Sequence, residues 1–219
     1  MTGQLVYRIK NYELRIKDKT KEKDSRYDTE ELPNKYTRVI IGFDNGGKLY
    51  FNDLRKFGWL KVVKDLDAIS GEKYGPEPFS KEFTIKYLKE ILSRWGRPIK
   101  LLLMDQKKIA GIGNIYANEA LFCAGIAPHY RGKELAKDHP EKIDKLYYCI
   151  KKILLEAIKF GGSTASDDAY RNVEGEKGRM QEKLKVYGRA GEKCFQCGKI
   201  IKRMTIGGRG TFFCPACQR

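Results

Sequence analysis

Cys194-Phe195-Gln196-Cys197 and, sixteen residues later, Cys214-Pro215-Ala216-Cys217 decide how the end of this chain folds. Two Cys-x-x-Cys pairs at that separation suit two knuckles meeting at one metal ion, joined by a hairpin. Four thiolates around a tetrahedral ion leave no open position, so the expected metal is one structural Zn2+ without a catalytic water. A segment this short cannot bury a core of its own, and metal binding supplies the missing folding free energy. Disulfides or a thioredoxin-like redox pair are the competing readings. Between the pairs lie Lys202, Arg203, Gly207, Gly208, Arg209 and Gly210. Glycines let a hairpin tip approach a backbone closely, and Arg209 beside them can fork onto a phosphate. A solvated turn is the plainer alternative.

The charge balance points the same way. The chain has 219 residues, with 44 Lys and Arg against 28 Asp and Glu, a net charge of +16. Such an excess suits a polyanion, because each cation brought against a phosphate releases condensed counterions. An anionic membrane surface is the rival partner. No segment approaches the ~20 unbroken apolar residues of a membrane span, and no signal-peptide pattern opens the chain. A soluble cytoplasmic protein is therefore expected. Of the six cysteines, Cys123 and Cys149 stand apart from the other four in helical, apolar patterns. They read as buried small hydrophobes with no redox role.

Working towards the N-terminus, Asp138 opens a long helix with Glu141 at the capping-box position. Its apolar face is Ile143, Leu146, Tyr147, Ile150, Ile153, Leu154, Ala157 and Ile158. Ser80 is placed to cap an earlier helix with the stripe Phe83, Tyr87, Leu88, Ile91, Leu92 and Trp95, stopped by Gly96. Both stripes read as core. The polar, glycine-containing stretch after Phe160, running to about Met180, reads as a long loop. Gly75-Pro76-Glu77-Pro78 breaks the pattern and marks a domain boundary. Before it, Gln4–Ile9, Tyr36–Phe43 and Lys48–Phe51 read as strands, with Asp44-Asn45-Gly46-Gly47 as a turn. Lys17–Glu31 is a run of mixed charge, either an exposed loop or an arm that touches phosphates.

One more stretch is dense in signals: Gly111-Ile112-Gly113-Asn114-Ile115-Tyr116-Ala117-Asn118-Glu119-Ala120-Leu121-Phe122, preceded by Lys107 and Lys108. A Gly-x-Gly turn entering a helix presents backbone N–H groups and a positive dipole end to one phosphate. Asn114 can cap that helix or donate to the phosphate. The same turn opens helices in nucleotide-binding folds, but here no apolar strand feeds it and no third glycine completes that fingerprint.

Taken in order, Met1-Thr2-Gly3, Asn52-Asp53-Leu54-Arg55-Lys56-Phe57-Gly58, Gly75–Pro78, Leu103-Met104-Asp105, Gly111–Phe122, Val186-Tyr187-Gly188-Arg189 and the four-cysteine finger resemble the bacterial formamidopyrimidine-DNA glycosylases. The resemblance runs the length of the chain, interrupted mainly at Lys17–Glu31. It implies an α+β, multidomain fold: part of an N-terminal β-sandwich at 1–76, a helix-two-turn-helix domain at 79–182 and a zinc finger at 183–219. It also implies base excision repair, in which oxidised purines such as 8-oxoguanine and formamidopyrimidine are removed and the abasic strand is nicked by β,δ-elimination. The partner would be double-stranded DNA carrying oxidised or abasic lesions, bound by a monomer at the bacterial nucleoid. Met1, Arg55 and Phe57 would fill the void left by the everted base: Phe57 as a wedge, although taken without the resemblance it reads as a core residue, Arg55 as a hydrogen-bond donor to the orphaned cytosine, Met1 as a pliable filler. Lys107, Asn114 and Arg209 would bind phosphates. The loop at 163–181, with Ser163, Thr164, Met180 and Gln181, would cover the base. Met180 stands where the family usually has an aromatic.

The resemblance also exposes a difference. Family members open with Pro-Glu-Leu-Pro-Glu, whose proline amine attacks the sugar, assisted by the adjacent Glu and a Lys of the same region; these 219 residues contain no counterpart. The chain alone is therefore expected to be inactive or severely impaired as a glycosylase and lyase. Residues 1 to about 75 are expected to be marginal in isolation, with open apolar faces and sheet edges. A non-catalytic damage-binding module is the alternative from another class. The endonuclease VIII group, acting on oxidised pyrimidines, is disfavoured by Met-Thr-Gly and Asp-Leu-Arg-Lys-Phe-Gly. RNA binding lacks the stacking motifs of the usual modules.

Overall fold

The computed structural model describes residues 3–8, 32–54, 56–64, 74–163 and 178–219. The chain forms two compact units: Met1–Val62 with Lys159–Glu182, and Val63–Ile158 with Lys183–Arg219. The architecture is α+β, with an N-terminal sheet, a bundle of helices and a C-terminal hairpin carrying four cysteines.

In the first unit, β1 (Gly3–Arg8), β2 (Thr37–Gly42) and β3 (Lys48–Asp53) form an antiparallel sheet in the order β1-β3-β2. Strand alternation sends Val6 and Tyr50 to a buried face. The register aligns Leu5, Phe51 and Val39 in one row and Tyr7, Leu49 and Ile41 in the next. Cross-strand partners share a face, so these six apolar side chains form one surface. Leu5, Tyr7, Val39 and Ile41 are all exposed, which is the open apolar face expected of this region. The charged run Lys17–Glu31 lies outside the described residues.

The second unit is built on α1 (Ile85–Arg94), α2 (Ile99–Leu103), α3 (Asn114–Ala124), α4 (Gly132–Asp138) and α5 (Pro140–Lys159). Phe83, Leu88, Leu92, Leu102, Leu121, Leu146 and Ile150 belong to one buried core shared by these helices. Thr84, not Ser80, caps α1: its Oγ1 accepts from the Tyr87 N–H at 3.1 Å, so the helix begins four residues later than Ser80 would place it. The stripe of α5 holds from Ile143 to Ala157, but Ile158 is 68% exposed, because one residue on from buried Ala157 the helix has turned by about 100° away from the core. Cys123 and Cys149 correct the sequence reading more sharply. They are joined in a disulfide, because packing α3 and α5 around one core brings their Cα atoms to 5.8 Å, within bridging range.

The C-terminal hairpin pairs β4 (Lys202–Ile206) with β5 (Arg209–Phe213) through a two-residue turn, Gly207-Gly208. Both glycines have positive φ, 57° and 72°, which a type I′ turn requires and which matches the twist of the strands. Cys194, Ile201 and Cys214 pack with Val186 and with Phe122 of α3. The finger thus shares its small core with the helix that begins at Asn114. Among the described residues no helix is long and apolar enough to cross a membrane.

Candidate nucleic-acid interface

Two turns connect α2 to α3, and glutamine chemistry shapes them. Gln106 Oε1 accepts from the Gly111 N–H at 2.9 Å, and Nε2 donates to the Ile112 C=O at 2.9 Å. Gly111 takes a φ of 83°. The chain then enters α3 through Gly113 in extended conformation, and no side chain caps that end. The first amides of α3 and its positive dipole end are therefore presented as an anion site.

Against this helix end lies the tip of the hairpin. Lys100 of α2 is fully buried, and its Nζ donates to the Gly210 C=O at 2.9 Å and to Thr211 Oγ1 at 2.7 Å. Asn114 Nδ2 donates to the same Gly210 C=O at 3.2 Å, and Asn114 Oδ1 has no protein partner among the described residues. Burial, with repulsion from Arg209, lowers the Lys100 pKa to about 8. Asn118, one turn into α3, completes the joint: its Oδ1 accepts from the Phe212 N–H at 2.8 Å and its Nδ2 donates to the Asn114 C=O at 2.6 Å. A Cβ on Gly207 would come within 2.5 Å of Leu101 Cδ2, so the turn itself rests on α2.

Glu119 fastens the segment leading into the finger. Its buried carboxylate accepts from the Lys185, Val186 and Tyr187 N–H groups at 2.8, 3.0 and 2.8 Å. Burial raises its pKa, while those three donors and Lys185 pull it back. The result is a rigid cradle in which Arg209, exposed at the hairpin tip, stands one residue from a carbonyl held by Lys100 and Asn114. Lys107 is exposed in the turn, its N–H donating to Asp105 Oδ1 at 3.2 Å. Lys108 is turned inward, paired with Asp105 at 3.0 Å and set over the Trp95 ring at 4.2 Å.

Cys194, Cys197, Cys214 and Cys217 place their Sγ atoms within 4.8 Å of one another. Cys194 and Cys217 are 3.9 Å apart and Cys197 and Cys214 3.4 Å. A tetrahedron with Zn–S bonds of about 2.3 Å has edges of about 3.8 Å, so the donor set fits zinc. Burial and the hydrogen bonds of the neighbouring thiols push the Cys217 thiol up, and a zinc ion bound here would displace thiol protons. These four residues hold a structural Zn2+; what it supplies is the fold of the finger.

In the other unit, Phe57 is 78% exposed. Ser163 and Arg179 form an isolated antiparallel bridge, and the Met180 N–H donates to the Gly162 C=O at 3.0 Å. Met180 is buried, and Ser163 and Gln181 are half-buried. Met1, Arg55 and Thr164 lie outside the described residues. Lys100, Asn118 and Glu119 were not singled out as site residues from sequence. Their signal was polarity where the pattern demanded apolar side chains: a lysine inside Pro98-Ile99-Lys100-Leu101-Leu102-Leu103, and an Asn-Glu pair inside an apolar helix.

Comparison with known proteins adds an independent finding. Residues 74–169 match the family described as "Formamidopyrimidine-DNA glycosylase H2TH domain", and residues 191–219 match "Zinc finger found in FPG and IleRS". The chain is 42% identical over 196 residues to a formamidopyrimidine-DNA glycosylase of Bacillus licheniformis, spanning 88% of this chain and 70% of that protein. It is 39% identical over 221 residues to that of Desulfitobacterium hafniense, spanning 100% and 72%. Among solved structures, the MutM (Fpg) protein of Thermus thermophilus superposes with a TM-score of 0.75 at 38% identity, covering 85% of this chain and 70% of that one. The Lactococcus lactis Fpg in complex with DNA containing an abasic site gives a TM-score of 0.76 at 33% identity, covering 100% and 72%.

Proposed function

The chain belongs to the formamidopyrimidine-DNA glycosylase family, and from that premise we propose that it grips damaged duplex DNA through a phosphate clamp made of Asn114, Arg209 and Lys107. The observation that carries this reading is the shared carbonyl of Gly210. Lys100 and Asn114 both bond it, which fixes the arginine-bearing hairpin tip against the uncapped start of α3. Amide donors, a helix dipole and a guanidinium then converge on one anion, and the net charge of +16 favours its approach.

Beyond the clamp, Phe57 enters the base stack as a wedge, with Arg55 and Met1 occupying the space of an everted nucleotide. The loop at 163–181, which contains Ser163, Thr164, Met180 and Gln181, covers the everted base. The lesions are oxidised purines and abasic sites, and the protein acts as a monomer in the bacterial cytoplasm, on the nucleoid. The functional segments that share this task are residues 1–76, 79–182 and 183–219, a division by role that cuts across the two compact units. The family's excision chemistry requires a proline amine for which these 219 residues offer no counterpart, so by themselves they bind lesions without turning them over efficiently.

Fluorescence anisotropy with a duplex carrying a tetrahydrofuran abasic analogue tests the clamp. Arg209→Ala should weaken binding and reduce the slope of log K against log salt by about 1, with zinc content unchanged. An unaltered slope and affinity would refute it. Borohydride trapping on a duplex with 8-oxoguanine tests the second claim: no efficient covalent adduct is expected, and an efficient one would show that these residues suffice for catalysis.

A further inference from the structure

We propose that Asp53 is a positioning residue that holds Phe57 outward for insertion into the base stack; the inference rests on the wedge role given to Phe57 above. Asp53 ends β3 and is 1% exposed, whereas the Phe57 ring is 78% exposed. Three groups of Asp53 are engaged. Its N–H donates to the Tyr36 C=O at 2.9 Å, its C=O accepts from Arg38 Nε at 3.2 Å, and its carboxylate Oδ2 accepts from the Gly58 N–H at 2.5 Å. The last bond closes a loop from the strand end to the residue just past the wedge.

Two backbone features show how tightly that loop is drawn. Lys56 has a φ of 59°, in the left-handed region that a lysine seldom adopts. A Cβ on Gly58 would fall 2.5 Å from Phe51 Cζ and 2.8 Å from Asp53 Oδ2, so only glycine passes the sheet there. Phe57 thus projects between a reversed residue and a pinned one. Left to itself, an exposed phenyl ring would collapse onto nearby apolar surface, and Phe51 belongs to the open apolar face of the same sheet. The charged acceptor at Asp53 gives the Gly58 amide a strong fixed bond and keeps the turn in its projecting form.

The test uses the intact 219-residue protein and a duplex with a tetrahydrofuran abasic analogue flanked by 2-aminopurine, whose fluorescence rises when its stacking is broken. Wild-type protein should raise the signal at saturation, and Phe57→Ala should abolish the rise. Asp53→Ala should lose most of it while zinc content and the salt slope of binding stay as in wild type. Asp53→Asn keeps an oxygen that accepts from the Gly58 amide and should retain most of the rise. Adding Lys56→Gly to Asp53→Ala removes the conformational cost at the reversed residue and should recover part of the signal, which a merely sheet-stabilising Asp53 would not allow. If Phe57→Ala leaves the fluorescence unchanged, the wedge reading itself fails. If Phe57→Ala abolishes the rise but Asp53→Ala matches wild type, the positioning inference alone is overturned. Should Asp53→Ala fail to fold, Gly58→Ala perturbs the same bond from the other side, and a full wild-type response from it overturns the inference.

Discussion

A lysine ammonium sealed from water and placed beside an arginine holds its proton less firmly than an exposed one, and Lys100 does so at the centre of the proposed clamp. A phosphate arriving at Arg209 would offset the repulsion between the two cations and raise the Lys100 pKa from about 8. Binding then takes up a proton, so affinity for the duplex should fall as pH rises through about 8, and Lys100→Gln should flatten that part of the profile. Anisotropy titrations from neutral to mildly alkaline pH check this; a flat wild-type profile would count against it. Such residues are hard to read in a sequence. Cys194, Cys197, Cys214 and Cys217 announce themselves by spacing, because a metal imposes its own geometry on the chain. Lys100 and Glu119 acquire their roles from groups at Gly210 and at Lys185–Tyr187, and no local pattern encodes a partner so distant.

Elements were legible where one period dominates. The strands and the long stripe of α5 emerged because burial repeats at 2 or 3.6 residues. The short α4 has two buried residues and no stripe to betray it. The disulfide between α3 and α5 depends on how two helices pack, which spacing in the sequence does not state. At this scale the hairpin turn is the most sensitive part. Gly207→Ala places a methyl in the left-handed region and against Leu101, costing about 1–2 kcal/mol for the backbone before any clash. Weaker binding to the abasic duplex is expected with zinc content unchanged, because the cysteines lie at the other end of the hairpin. Loss of zinc from this variant would mean that the turn and the metal site fold as one.

For the whole molecule, the division of cores matters most. The helical core runs from Phe83 to Ile150, and a second, small core joins Val186, Cys194, Ile201 and Cys214 to Phe122 of α3. Chelation should therefore abolish DNA binding while the far-ultraviolet helical signal persists. It should also expose four reactive thiols, leaving Cys123 and Cys149 silent until a reductant is added. Global unfolding on chelation would show that the helices depend on the metal. The sheet in the other unit behaves as a second solvent-facing system. Leu5, Tyr7, Val39, Ile41, Leu49 and Phe51 make an adhesive surface on a strongly cationic chain. Sulfate, which screens charge yet strengthens apolar association, should drive two opposed responses from one protein. Its hold on the duplex should loosen as light scattering records growing self-association, and Ile41→Lys should suppress the second response without touching the first.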